Sequence, residues 1–180
     1  MATLRVPLTA NDHTEGGEDA AVILVEYGDY ECPHCGVAYH VIKKLQNHYG
    51  DGLRFVFRNF PLAQIHPYAE AAAEAAEFAG ANGRFWEMHD GIYEQQQRLD
   101  PTLLVEIAQD VGLSVEDLRK SLASHEYAAR VREDFLGGVR SGVNGTPAFF
   151  INGVRHDGAN DFESLKAAID DRLSQRKRSA

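Results

Sequence analysis

A chain of 180 residues can bury the core of one ordinary domain, and 44% hydrophobic against 25% charged residues is the composition of a globular protein. No apolar run approaches the roughly 20 residues a membrane span needs, and a formal charge of −9 lacks the basic footprint of a nucleic-acid binder. The basic residues Arg172, Arg176, Lys177 and Arg178 fall in the last nine positions and read as a solvated tail.

The N-terminal stretch MATLRVPLTANDHTEGG has neither a charged n-region nor an apolar h-region, so it does not read as a secretory signal. The expectation is a cytoplasmic protein, or an extracytoplasmic one if a signal was trimmed. Residues 21–27, AVILVEY, form a continuous apolar run ending in a charge, the pattern of a central strand covered on both faces. Glu26 falls on the face shared by Val22 and Leu24. After Cys35, the residues Ala38, Ile42, Leu45 and Tyr49 recur at helical spacing, and Gly50 supplies a stop. A second strand follows at 53–60, LRFVFRNF, giving a βαβ unit with the cysteines at the first strand–helix junction.

From Pro61 to about Gly138 the pattern is helical. Pro67 opens an alanine-rich helix closed by Gly80 to Gly83, in which His66 reads as a capping or packing residue. Phe85, Met88 and Ile92 share a helix face, Pro101 opens another helix, Ser114 caps the next with Asp117 three residues on, and a further helix covers roughly 127–136. Apart from His34 and His66 the histidines read as surface residues. Strand chemistry returns at 148–151 and 154–156 around Asn152-Gly153, the dipeptide of a type I′ hairpin. Asn160 reads as the cap of a last helix whose buried stripe is Phe162, Leu165, Ile169 and Leu173.

The chain has two cysteines, three positions apart in YECPHCG. A disulfide between them closes too short a loop to constrain the unfolded chain much, so a structural staple is the weak reading. Close cysteines point instead to redox chemistry or metal. With Cys32 at the helix N-cap, Pro33 occupies the first helical position, where its missing N–H costs nothing. Unpaired backbone donors and the positive end of the helix dipole then favour thiolate at Cys32. Cys35, one turn inward, is placed to resolve a mixed disulfide formed on an exposed Cys32. His34 inside the motif stabilises the thiolate further, and with it the reduced form.

The stretches LVEYGDYECPHCG and VNGTPAFFING resemble the DsbA-like branch of the thioredoxin superfamily, and the similarity covers essentially the whole chain. The resemblance implies an α/β thioredoxin-like fold, a central mixed β-sheet flanked by helices, with an inserted all-helical subdomain. The corresponding boundaries are a discontinuous thioredoxin-like domain over 1–62 and 139–180 and a helical insertion over 63–138. It also implies a protein disulfide oxidoreductase in which Cys32 is the nucleophile and Cys35 the resolving thiol. Pro33-His34 matches the oxidising type of this motif. Pro147 after Thr146 matches a cis-proline that sits beside the sulfurs and leaves the Thr146 backbone open to a substrate strand. Glu26 matches a buried acidic residue that accepts a proton near the resolving thiol.

The implied partners are protein or peptide thiols and disulfides and a redox recycling partner, with no metal or organic cofactor. Potentials in this superfamily run from roughly −270 mV for thioredoxin to roughly −120 mV for DsbA. Reductase, isomerase and redox-sensor roles therefore stay open beside the oxidant. Two non-enzymatic alternatives use the same residues: a zinc site on Cys32 and Cys35 with His34 or His66, which lacks a second spaced ligand pair, and a peptide-binding module that has no need of two reactive thiols.

Overall fold

Five strands build one mixed sheet in the order β1-β3-β2-β4-β5: β1 His13–Gly16, β2 Val22–Gly28, β3 Leu53–Asn59, β4 Ala148–Ile151 and β5 Val154–Arg155. The computed structural model describes the backbone of residues 2–179 and the side chains as far as residue 175, so Arg176, Lys177 and Arg178 of the basic tail lie outside the described side chains. Two compact units divide the chain. The first takes the chain up to Gly28, Val37–Arg58 and the chain from Gly137 on; the second is Asp29–Gly36 with Asn59–Leu136.

In the first unit, β2 and β3 are sheet neighbours joined through helix α1, Pro33–Tyr49, while β4 runs antiparallel to β2 and β5 antiparallel to β4. Val22, Leu24, Val25 and Tyr27 are buried, as a strand covered on both faces requires. The β4–β5 hairpin turns at Asn152 and Gly153 with φ of 47° and 78°, both left-handed, which is why Asn-Gly stands there. Asn152 Oδ1 also accepts the Ile23 N–H at 2.8 Å. Helix α7, Phe162–Ser179, packs on β2 and β4 and buries Leu165 and Ile169. Its cap is Asp161, whose Oδ1 accepts the Ser164 N–H at 2.8 Å. The sequence pointed to Asn160 instead; the helix begins one residue later, and the acceptor moves with it.

Strand β1 was not anticipated. HTEG has no apolar alternation, and the strand pairs antiparallel with β3 from His13 opposite Phe57 to Gly16 opposite Arg54. What fixes the segment before it is buried Arg58. The guanidinium meets both Asp12 oxygens at 2.7 and 3.0 Å and donates to the Val6 and Pro7 carbonyls and the Tyr27 hydroxyl, each at 3.0 Å. Every oxygen in that set accepts, which is the arrangement a buried guanidinium needs.

The second unit is built from α2 Ala69–Ala81, α3 Phe85–Glu94, α4 Pro101–Asp110, α5 Val115–Ser124 and the Ala128–Leu136 part of α6, Ala128–Arg140. Helix α2 packs against α3, α4 and α5; its alanines 72, 75, 76 and 79 are fully buried, and their size lets the backbones approach closely. Asp100 accepts from the Leu103 N–H ahead of Pro101, and Ser114 accepts from Asp117 N–H, both as their cap positions predict. Helix α6 runs through Gly137 and Gly138 to Arg140, past the stop expected near 136. Among the described residues, no helix is long and apolar enough to cross a membrane.

Candidate functional site

Helix α1 opens at Pro33, so Cys32 is its N-cap: the Cys32 carbonyl accepts the N–H groups of Cys35 at 3.0 Å and Gly36 at 3.1 Å. A 17-residue helix therefore ends its dipole at Cys32, with roughly half a positive charge at that end. Pro33 and His34 are exposed. Cys35 has no exposed surface, and Cys32 retains 4% rather than the open position expected from sequence. The reason is local. The Cys32 N–H closes a turn on the Asp29 carbonyl at 3.2 Å, and the Gln96 amide donates to the carbonyls of Tyr30 and Cys32, both at 2.8 Å. Gln96 also sets the residue after the motif. A Cβ on Gly36 would fall 2.2 Å from Gln96 Oε1, so the glycine makes room for the clamp.

Asp29 organises the loop from the other side. Its carboxylate accepts the N–H groups of Glu31 and Leu62, each at 2.8 Å, and lies 2.7 Å from His66 Nδ1; its own N–H points at Cys35 Sγ at 3.5 Å. Glu31 Oε2 in turn accepts the Tyr68 N–H at 2.6 Å. Burial works to lower the His66 pKa, but the Asp29 hydrogen bond and charge, with smaller help from Cys32 and Glu31, hold it above its ordinary value. Behind the motif, buried His89 meets the Tyr30 hydroxyl through Nδ1 at 3.0 Å, and the Tyr93 hydroxyl donates to the Asp29 carbonyl at 3.3 Å. His89 was expected at the surface. It lies instead on the buried stripe of α3, between Met88 and Ile92, where the phenol supplies the polar partner an interior imidazole needs.

Cys32, Pro33, His34 and Cys35 thus stand together in the second unit, and Glu26, Thr146 and Pro147 in the first. Within the first unit, Glu26 is 2% exposed and faces Phe149 across the β2–β4 ladder, while Tyr27 faces Ala148, the residue after Pro147. The Thr146–Pro147 peptide bond is cis. Among the described residues, no group of three or more His, Cys, Asp or Glu side chains is placed to hold a metal ion. Sequence reading missed Asp29 and Gln96. Asp29 carried a signal, an Asp two residues before the Glu31 N–H it accepts, as in an Asx turn. Gln96 carried none, being remote in sequence from the carbonyls it holds.

A cysteine pair at the start of a helix that follows a central strand defines a thioredoxin-type protein. Residues 8–171 match the family described as thioredoxin, and the chain belongs to it. Its fold is that of the DsbA-like members. Similar solved structures include oxidised BdbD of Bacillus subtilis, 26% identical with a TM-score of 0.85 over 96% of this chain and 98% of that one. A thioredoxin-like oxidoreductase of Silicibacter pomeroyi is 27% identical, with a TM-score of 0.80 over 96% and 95%. The alpha-DsbA1 of Wolbachia pipientis shares the fold at 22% identity and a TM-score of 0.81 over 96% and 95%. Among curated proteins, the Na(+)/H(+) antiporter NhaA 1 of Salinispora arenicola is 44% identical over 92% of this chain. The chain spans about a quarter (26%) of that relative's length.

Proposed function

We propose that the protein is a thiol–disulfide oxidoreductase that exchanges disulfides with protein or peptide thiols through Cys32 and Cys35, in the oxidising direction. The observation that carries this reading is position: the two cysteines of the sequence are the N-cap and third residue of α1, one with 4% exposure and one with none. That arrangement gives one sulfur a stabilised anion and an approach, and keeps the other for resolution. Membership of the thioredoxin family and similarity to an oxidoreductase of the same fold support it.

In the oxidising direction a substrate thiolate attacks Cys32 Sγ of the Cys32–Cys35 disulfide. The S–S bond breaks, Cys35 leaves as thiolate and takes a proton, and a mixed disulfide joins substrate to Cys32. A second substrate thiolate then attacks the substrate sulfur and expels Cys32, whose negative charge the helix terminus stabilises. Two electrons pass from two substrate thiols to the cysteine pair. A recycling partner has to remove them again, and exchange between sulfurs needs no metal or organic cofactor. Resemblance to DsbA-like proteins assigns His34 the tuning of the potential, Glu26 the proton on Cys35, and Thr146 with Pro147 the alignment of the substrate strand.

Two measurements test the reading. The wild-type disulfide should oxidise a reduced model peptide, the Cys32 thiolate of Cys35→Ala should attack a disulfide-bonded model peptide and stay joined to it as a mixed disulfide that dithiothreitol cleaves, and Cys32→Ala should do neither. Equilibration against glutathione buffers gives the direction, where a potential near the roughly −270 mV of thioredoxin would move the assignment to a reductase. Absence of exchange in the wild type would sink it.

A further inference from the structure

Asp29 places a carboxylate with no exposed surface in the loop that carries both sulfurs. Its backbone is part of the same knot, its carbonyl receiving the Cys32 N–H and its N–H directed at Cys35 Sγ. A buried anion there opposes a second anion on Cys32. The group that faces it is the His66 ring, whose Nδ1 stands 2.7 Å from Asp29 Oδ2 and whose side chain is 16% exposed, open enough to trade protons with water. The charged groups acting on that ring are Asp29, Glu31 and Cys32. All three hold its proton in place, and the coupling with Cys32 runs both ways: whatever a Cys32 anion does for the His66 proton, that proton does for the anion.

We propose that His66, held by Asp29, is an electrostatic positioning residue of the thiol pair: its imidazolium offsets the Asp29 charge and stabilises the Cys32 thiolate. This rests on the exchange chemistry proposed above. Reduction of the Cys32–Cys35 disulfide by two electrons, with one proton taken up from solvent, leaves a thiolate on Cys32 and a thiol on Cys35. His66 then holds its own proton more tightly in the dithiol form than in the disulfide form. The sequence offered no such role, since His66 lies 34 positions beyond Cys32 and only the loop ordered by Asp29 and Leu62 brings it to the motif.

Nuclear magnetic resonance titration of the His66 ring in the wild-type protein, in the disulfide form and again in the dithiol form, tests the idea without a substitution. A higher midpoint in the dithiol form is expected; equal midpoints overturn it. In His66→Gln the Cys32 thiolate absorbance near 240 nm should appear at higher pH. The glutathione equilibrium should shift about three- to tenfold toward the disulfide, the low end for an opposite charge because Asp29 shares it. His66→Lys, which restores the charge, should recover part of that shift, whereas His66→Gln and His66→Lys that behave alike would mark a merely structural residue. If peptide exchange is intact while the His66 midpoints are equal, this inference fails and the oxidoreductase reading stands. If the wild type exchanges nothing, that reading fails first.

Discussion

The Gln96 side-chain amide bridges the carbonyls of Tyr30 and Cys32, both at 2.8 Å, and its own oxygen faces Gly36, where an added Cβ would stand 2.2 Å away. One side chain therefore fixes the backbone at the start of the CPHC motif and occupies the space beside the residue that follows it. Gly36→Ala forces Gln96 to release its acceptors and should destabilise the wild type by about 1–3 kcal/mol, the cost of two part-buried carbonyls losing their donor. In a Gln96→Ala background the same change should stabilise by up to about 1 kcal/mol, because alanine outranks glycine inside a helix. A urea-denaturation double-mutant cycle reads the sign change; additive effects would mean that the glycine serves something other than the clamp.

Arg58 ties Val6, Pro7 and Asp12 to strand β3 and to Tyr27 from a site with 3% exposure. Arg58→Met should cost about 3–5 kcal/mol, since it removes the counter-charge of the buried Asp12 carboxylate. Adding Asp12→Asn should return part of that loss. Thermal melts of the two single variants and the double variant check this, and a double variant less stable than Arg58→Met alone contradicts it.

Acid stability should carry the mark of Asp134. Burial pushes this carboxyl above its ordinary range, with Glu77 adding to the effect, although Arg130 and the Asn59 N–H hold it down. A raised acid keeps its proton in the fold after the unfolded chain has lost it. Its stabilising contribution is thus present below the unfolded value of 3.8 and disappears as pH rises through the folded one. Relative to Asp134→Asn, the wild type should lose stability as the pH climbs from 3 toward neutrality (a range of about four units). Parallel stability curves for the two proteins would be the contrary result.

The hairpin turn separates two effects at Asn152, which has φ of 47° and whose Oδ1 accepts the Ile23 N–H. Asn152→Ala should cost about 2 kcal/mol, half from left-handed backbone and half from the lost acceptor. Asn152→Gly relieves the first and should cost about 1 kcal/mol. Equal losses in the two variants would show that the backbone conformation contributes nothing.

The βαβ unit, the helical block and the hairpin were legible because each is written in local periodicity and in the turn residues Gly50, Pro101 and Asn152-Gly153. The placement of CPHC at a helix start was legible for the same reason, since a helix start needs a cap and a tolerated proline. What escaped was set by tertiary contact. HTEG became a strand because β3 offers it an edge and Arg58 gathers the chain before it. His89 became interior because Tyr30 waits for it. The Cys32 carbonyl is held by a glutamine 64 positions away.

A last consequence belongs to Cys35. With no surface of its own and the Asp29 N–H directed at its sulfur, it offers peroxide or an alkylating reagent no point of entry. A lone accessible thiol climbs irreversibly to the sulfinic and sulfonic acids; a sulfenic acid on Cys32 instead has a shielded neighbour ready to condense with it and expel water. The burial that keeps the second cysteine silent thus also insures the first against permanent damage.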